Sequence, residues 1–208
     1  MNRNRSLIRR TTAVGAVATA ALVLAACGSN DSPAGHGGHA YASPSASASA
    51  AQGKHNAADV AFAKGMIPHH RQAVEMADLA PTRADSAEVK QLAEEIKKAQ
   101  DPEIKALSGW LASWGEQVPA EGGMDHSMHG AGGGMMTSEE MENLKNASGK
   151  AFDTAFMELM IKHHEGAVAM ANTEQKDGSY QPAKDMADAI ITSQTAEITR
   201  MNEFLGKD

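Results

Sequence analysis

The sequence predicts an all-α protein, a four-helix bundle built from two copies of one helical hairpin, and three observations predict it. Met66-Ile67-Pro68-His69-His70 recurs as Met160-Ile161-Lys162-His163-His164, 94 positions later, and the match continues at that offset through Asp59/Asp153, Phe62/Phe156, Ala73/Ala167, Met76/Met170 and Ala77/Ala171. Positions 62, 66, 69, 70, 73, 76 and 77 follow the i, i+3, i+4, i+7 spacing that gathers side chains on one face of a helix. A second stretch repeats at the same offset, in Leu92/Met186, Ile96/Ile190, Gln100/Gln194, Glu103/Glu197, Ile104/Ile198, Leu107/Met201 and Trp110/Phe204. One hairpin has a single apolar face with nothing to bury it against, whereas two facing hairpins close a core.

The elements follow in chain order. Residues 1–26 read as a lipoprotein signal peptide, with Arg3, Arg5, Arg9 and Arg10 as a basic start and small apolar residues from Ala13 to Ala26. The stretch ends in Leu24-Ala25-Ala26-Cys27, which resembles the lipobox of bacterial lipoproteins, where the cysteine is lipidated and becomes the mature N-terminus. The apolar run is shorter than the roughly 20 residues of a membrane span. The expectation is an extracytoplasmic protein anchored to the cell membrane by a lipid on Cys27. Cys27 is also the only cysteine, which excludes a disulfide framework and a cysteine zinc site. Residues 27–55 are Ala, Ser, Gly and Pro with too little apolar bulk to fold, a tether in which His36 and His39 are either metal contacts or incidental.

The bundle should occupy residues 56–207. In repeat one, 56–116, the first helix reaches Leu79 or Ala80, where Pro81 and the polar stretch after it mark a turn. The second carries the stripe Val89, Leu92, Ile96, Ala99, Leu107, Trp110 and Leu111 and closes at Gly115. A Gly-, Met- and His-rich linker covers 117–137. In repeat two, 138–207, Ser138 is the expected N-cap of a short helix through Met141 and Leu144, and Gly149 interrupts before a long helix from about Lys150 to Thr173. The last helix spans about Pro182 to Leu205. Pro68 stands where repeat two has Lys162, and a proline inside a helix costs about 3 kcal/mol, so a kink is expected at the first His pair.

Removing the four signal arginines and no acid moves the formal net charge from −7 by four units, to −11. That balance argues against nucleic acid as a partner and mildly favours cations, although a solvated acidic surface explains it equally well.

The chemistry concentrates in the His pairs. Each lies near the middle of its helix, which brings both to one layer of the bundle whichever way the linker returns. Adjacent helix positions are about 100° apart, so only one His of each pair points straight at the axis. Imidazole and thioether together select copper, above all Cu(I), over Mg, Ca or Mn, with zinc and silver also compatible. Methionines can equally fill core gaps and a buried His can be satisfied by its neighbours. A His pair on the apolar stripe of both repeats, however, needs a partner to offset its desolvation. Gln100, Glu103, Gln194 and Glu197 fall at stripe positions of the second helices. There they either form a solvated edge or accept an imidazole N–H and fix which nitrogen is free for metal. The linker holds Met124, His126, Met128, His129, Met135 and Met136, four of the 13 methionines within 13 residues, a composition able to wrap Cu(I) or Ag(I).

These residues resemble a family known as a domain of unknown function, whose members carry an M-I-x-H-H, A-x-x-M-A helix followed by a Q-x-x-E-I, W-L helix. The match covers nearly all of Asn56 to Leu205, twice over. The resemblance implies a ferritin-like four-helix bundle similar to periplasmic copper-binding proteins, with Met66, His69, His70, Met76, Met160, His163, His164 and Met170 as the metal-binding set. The functional expectation is therefore an exported lipoprotein that binds copper, Cu(I) or Cu(II), for sequestration, tolerance or transfer, without enzymatic activity, and with an unidentified delivery or acceptor protein as a further partner. A ferritin-like metal-dependent oxidase competes with this, but it needs Glu-x-x-His motifs, and the sequence contains none. A structural bundle without metal is the third reading.

Overall fold

The computed structural model describes residues 53–120 and 133–207. The signal peptide, the tether with His36 and His39, Cys27, and the linker residues Met124, His126, Met128 and His129 lie outside the described residues. Among the described residues six helices follow in order: α1 Ala57–Ala77, α2 Ala80–Arg83, α3 Ala87–Trp114, α4 Ser138–Asn146, α5 Gly149–Asp177 and α6 Gln181–Phe204.

The local signals act largely where the sequence places them. Asn56 caps α1 by accepting from the Ala58 and Asp59 amides, while Asp59 reaches back to the Asn56 amide at 2.5 Å. Helix α1 ends at Ala77, short of the expected Leu79 or Ala80, because Pro81 starts a separate helical turn instead of a loop. Pro68 is accommodated within α1, and Pro102 within α3. Gly115 closes α3 at φ 75°, a conformation open to glycine at little cost. For α4 the N-cap is Thr137 and not Ser138: the Thr137 hydroxyl accepts from Glu140 N at 3.1 Å and the Glu140 carboxylate returns to Thr137 N. Gly149, at φ 61°, turns the chain into α5.

Helices α1 and α3 form one hairpin and α5 and α6 the other, and the two meet chiefly along α1 and α5. These two run antiparallel, since Asp59 meets Ser179, Gly65 meets Met170 and His69 meets His163. The hairpins cap one another reciprocally. Asp59 Oδ1 accepts from the Ser179 and Tyr180 amides at 3.0 and 2.9 Å, ahead of α6. Asp153, its repeat counterpart, accepts from the Asp85 and Ser86 amides at 3.1 and 2.9 Å, ahead of α3. Each aspartate therefore satisfies free donors at the start of the opposite hairpin's second helix, where the helix dipole favours negative charge.

The core has two apolar halves. One gathers Phe62, Ala63, Met66, Ile67, Leu107, Leu111, Ala167, Ala171 and Ile190 among others. The other includes Ala73, Met76, Leu92, Ile96, Phe152, Phe156, Met157, Met160 and Met201. On α1 the boundary between the halves falls between Ile67 and Ala73, at the His pair.

Candidate metal centre

Where α1 crosses α5, His69 and His163 meet with ring centroids 3.7 Å apart and planes inclined by 42°. All four histidines of the two pairs are buried, none more than 1% exposed. The helical repeat explains the division of labour: the first His of each pair turns toward the other hairpin, and the second, 100° further round, turns toward its own hairpin's second helix. His70 Nε2 lies 2.7 Å from Glu103 Oε2, and His164 Nε2 lies 2.6 Å from Glu197 Oε2. Both carboxylates reach the imidazole from the partly exposed edge of the bundle, with about a fifth of each side chain open to solvent.

Proton positions follow from the acceptors. A carboxylate accepts, so Nε2–H of His70 and of His164 donates and Nδ1 is the nitrogen left for another partner. His69 Nε2 lies 2.8 Å from the Gly133 carbonyl oxygen, which likewise only accepts, so His69 carries its proton on Nε2. Burial pushes the His69 pKa down to about 3, and repulsion from His70 adds to this against the Gly133 hydrogen bond. Burial first, and then charge on His69, holds His163 well below the usual imidazole range. Both rings are neutral at physiological pH, the form that binds metal.

The layer is rich in buried polar atoms without a hydrogen-bond partner: Nδ1 of His69, His70 and His164, both ring nitrogens of His163, and Oε1 of Gln100 and Gln194. Left bare, each such atom costs about 1–3 kcal/mol. Five of the seven are imidazole nitrogens. Among the described residues no three or more His, Cys, Asp or Glu side chains converge to hold an ion by those types alone. Unpartnered imidazole nitrogens do not fit Ca²⁺ or Mg²⁺, which require shells of oxygen.

The other sequence-selected residues are distributed as follows. Met66 and Met160 are buried one helical turn before His70 and His164, in opposite apolar halves. Met76 is buried among Ala73, Met157 and Phe156, whereas its counterpart Met170 is only partly buried, beside Gly65. Gln100 and Gln194 are 3% exposed. Met135 is half-buried, and Met136, expected among the linker residues able to wrap an ion, is 1% exposed and packs in the second apolar half. The linker ends by descending onto α1, where Met136 N and O pair with the Gln72 side chain at 2.6 and 2.9 Å.

Sequence reasoning missed Gln72, Gly133, Gly134 and Gly166. A trace of them was present, because Gln72 and Gly166 occupy the same position of the repeat, just before the matched Ala73/Ala167 and Val74/Val168, and differ. It also missed Glu174, which stands where repeat one has Ala80 and lies buried beside Asp59.

The family profile described as Domain of unknown function (DUF305) matches residues 59–205. No curated protein matches the sequence. A solved DUF305 protein from Streptomyces coelicolor is 33% identical with a TM-score of 0.65, covering 72% of this chain and 93% of its own. A DUF305 fragment from Deinococcus radiodurans, 27% identical, superimposes with a TM-score of 0.65 over 74% of this chain and 98% of its own. CopM in its Cu(II)-bound form is 35% identical with a TM-score of 0.61, over 70% of this chain and 94% of its own, and CopM has also been solved in Cu(I)-bound and Ag-bound forms.

Proposed function

The chain belongs to the DUF305 family, and on that footing we propose that it is an exported lipoprotein that binds copper through the His and Met residues of the bundle centre, for sequestration, tolerance or transfer. The observation that carries this reading is the set of five unpartnered imidazole nitrogens in one buried layer. An ion coordinated there relieves a desolvation cost that packing leaves unrelieved. CopM, solved with Cu(I), Cu(II) and silver bound, supports copper and silver as the ions.

In this reading His70 and His164 offer Nδ1, with Glu103 and Glu197 holding each ring and raising its basicity through the Nε2–H bond. His69 offers Nδ1 and His163 either nitrogen. Met66 and Met160 stand one turn away as thioether donors. Copper here is cargo. The chain's own residues bind it and exclude water from it, and burial keeps His69 and His163 neutral. Residues 1–26 act as the export signal, Cys27 carries the lipid, and 27–55 is the tether to the membrane surface. Export agrees with the description of the Streptomyces relative as a secreted protein, and no helix among the described residues is long and apolar enough to cross a membrane. Met124, His126, Met128, His129 and Met135 form a weaker, loop-borne site.

The test is an anaerobic titration of the mature protein with Cu(I) and Ag(I), in competition with Zn(II). The reading requires tight uptake of the monovalent ions that disappears when His69, His70, His163 and His164 are all replaced. Identical uptake by the quadruple variant removes the bundle centre as the site.

A further inference from the structure

The metal reading leaves one feature unused: the segment Gly133–Met136 lies directly over the His69–His163 crossing. Gly133 O takes the His69 Nε2–H at 2.8 Å. The same backbone rests on α5 so closely that a Cβ on Gly166 would collide with the Gly133 carbonyl oxygen and come within 2.5 Å of its carbon. Gly134, at φ 67°, is in turn pressed against the backbone of Lys162, and a Cβ there would stand 3.0 Å from His163 O. Two residues on, the Gln72 amide grips Met136 through both its N–H and its carbonyl.

Gln72 and Gly166 are 94 positions apart, the same place in the repeat. In repeat one that place has become a two-bond clamp, and in repeat two it has become a gap through which backbone passes. Both departures from the repeat serve the same four residues. The consequence is unequal histidines: His69 has one ring nitrogen occupied by the segment, and His163 has neither occupied.

We propose that Gly133–Met136 is a strap over the bundle centre that must lift before a metal ion reaches or leaves His69 and His163, with Gln72 and Gly166 as its positioning residues. This rests on the metal reading above. Because its anchors, Gln72 and Gly166, coordinate nothing, the strap sets the rate of exchange at the bundle centre and leaves the number of ions held there unchanged.

The experiment compares wild type with Gln72→Ala and Gly166→Ala in the full mature chain. Without metal, hydrogen exchange of the Met136 amide reports the clamp and the ¹⁵N shift of His69 Nε2 reports the Gly133 bond. With Ag(I) loaded, stopped-flow transfer to an excess of a competing chelator gives the release rate. Both variants should lose Met136 protection, keep the silver stoichiometry and release silver about tenfold to a hundredfold faster, the range set by one or two lost hydrogen bonds. Lost protection with an unchanged release rate overturns the strap as a gate, and retained protection in Gln72→Ala overturns Gln72 as an anchor. Should the alanine at Gly166 prevent folding, Gln72→Ala decides alone. A wild-type protein whose silver uptake equals that of the quadruple His variant overturns the metal reading itself, a result separable from the others because protection and ¹⁵N shifts are measured without metal.

Discussion

Replacing Glu174 by Gln should remove a loss of stability that the wild-type protein suffers as pH rises above neutrality. Glu174 is 1% exposed, and neither carboxylate oxygen has a donor. Burial pushes its pKa up to about 8 from the usual 4.5, and a hydrogen bond donated to Asp59 and repulsion by the Asp59 charge add to this against the attraction of Lys184. The Asp59 carboxylate already accepts from the Asn56, Ser179 and Tyr180 amides, so a proton held on Glu174 and donated to Asp59 is the arrangement that satisfies both groups. Asp59 is itself held below its ordinary value, burial opposing but outweighed by hydrogen bonds from Glu174 and the backbone amides. Between 4.5 and about 8 the folded state therefore holds a proton on Glu174 that the unfolded chain has released, and stability falls with rising pH by about 1.4 kcal/mol per unit.

Two other groups work in the opposite direction at lower pH. His69 and His163 have folded pKa values depressed below 6.5, so their contribution rises with pH until 6.5 and is constant above it. From 6.5 to about 8 the contributions of His69 and His163 are constant and that of Glu174 falls by roughly 2 kcal/mol. Urea unfolding of the metal-free protein by far-UV circular dichroism, at half-unit steps from pH 6 to 8.5, measures it. Wild type should weaken across that window and level off above it, while Glu174→Gln stays flat. Parallel profiles for the two proteins would refute the shared proton.

Three further outcomes are expected. Truncating Glu103 or Glu197 to Ala frees the His70 or His164 ring and should weaken Cu(I) binding by about 10- to 100-fold in a competition titration, with helicity retained. Asp153→Ala strands the Asp85 and Ser86 amides at the start of α3 and should lower stability by about 2 kcal/mol in denaturant unfolding. A chain beginning at Gln52 should unfold with the same cooperativity and helical signal as the longer mature chain, since the tether adds no apolar bulk to the core, and a broadened transition would show otherwise.

The duplicated spacing was enough to reach the bundle and its His layer. An apolar stripe at helical period and a 94-residue offset are properties of the chain read in one dimension. Helix geometry converts them directly into faces, and the mid-helix position of each pair converts into a shared layer. Cap chemistry was nearly as readable: Gly115 and Gly149 act where the sequence places them, and the N-cap of α4 was displaced by a single residue because Thr137 has Glu140 in reach.

Sequence alone thus determined the hairpin, its repetition and the identity of the four buried histidines, since each follows from local periodicity. Only the tertiary structure decided which nitrogen each ring keeps free, that Met136 is core, that Asp59 and Asp153 cap the opposite hairpin, and that Gln72 and Gly166 hold one strap. All of these are contacts between segments some 60 to 120 residues apart. Their partners are chosen by the antiparallel crossing of α1 over α5 and by the depth at which the linker lands on it, and no spacing within either helix encodes that crossing.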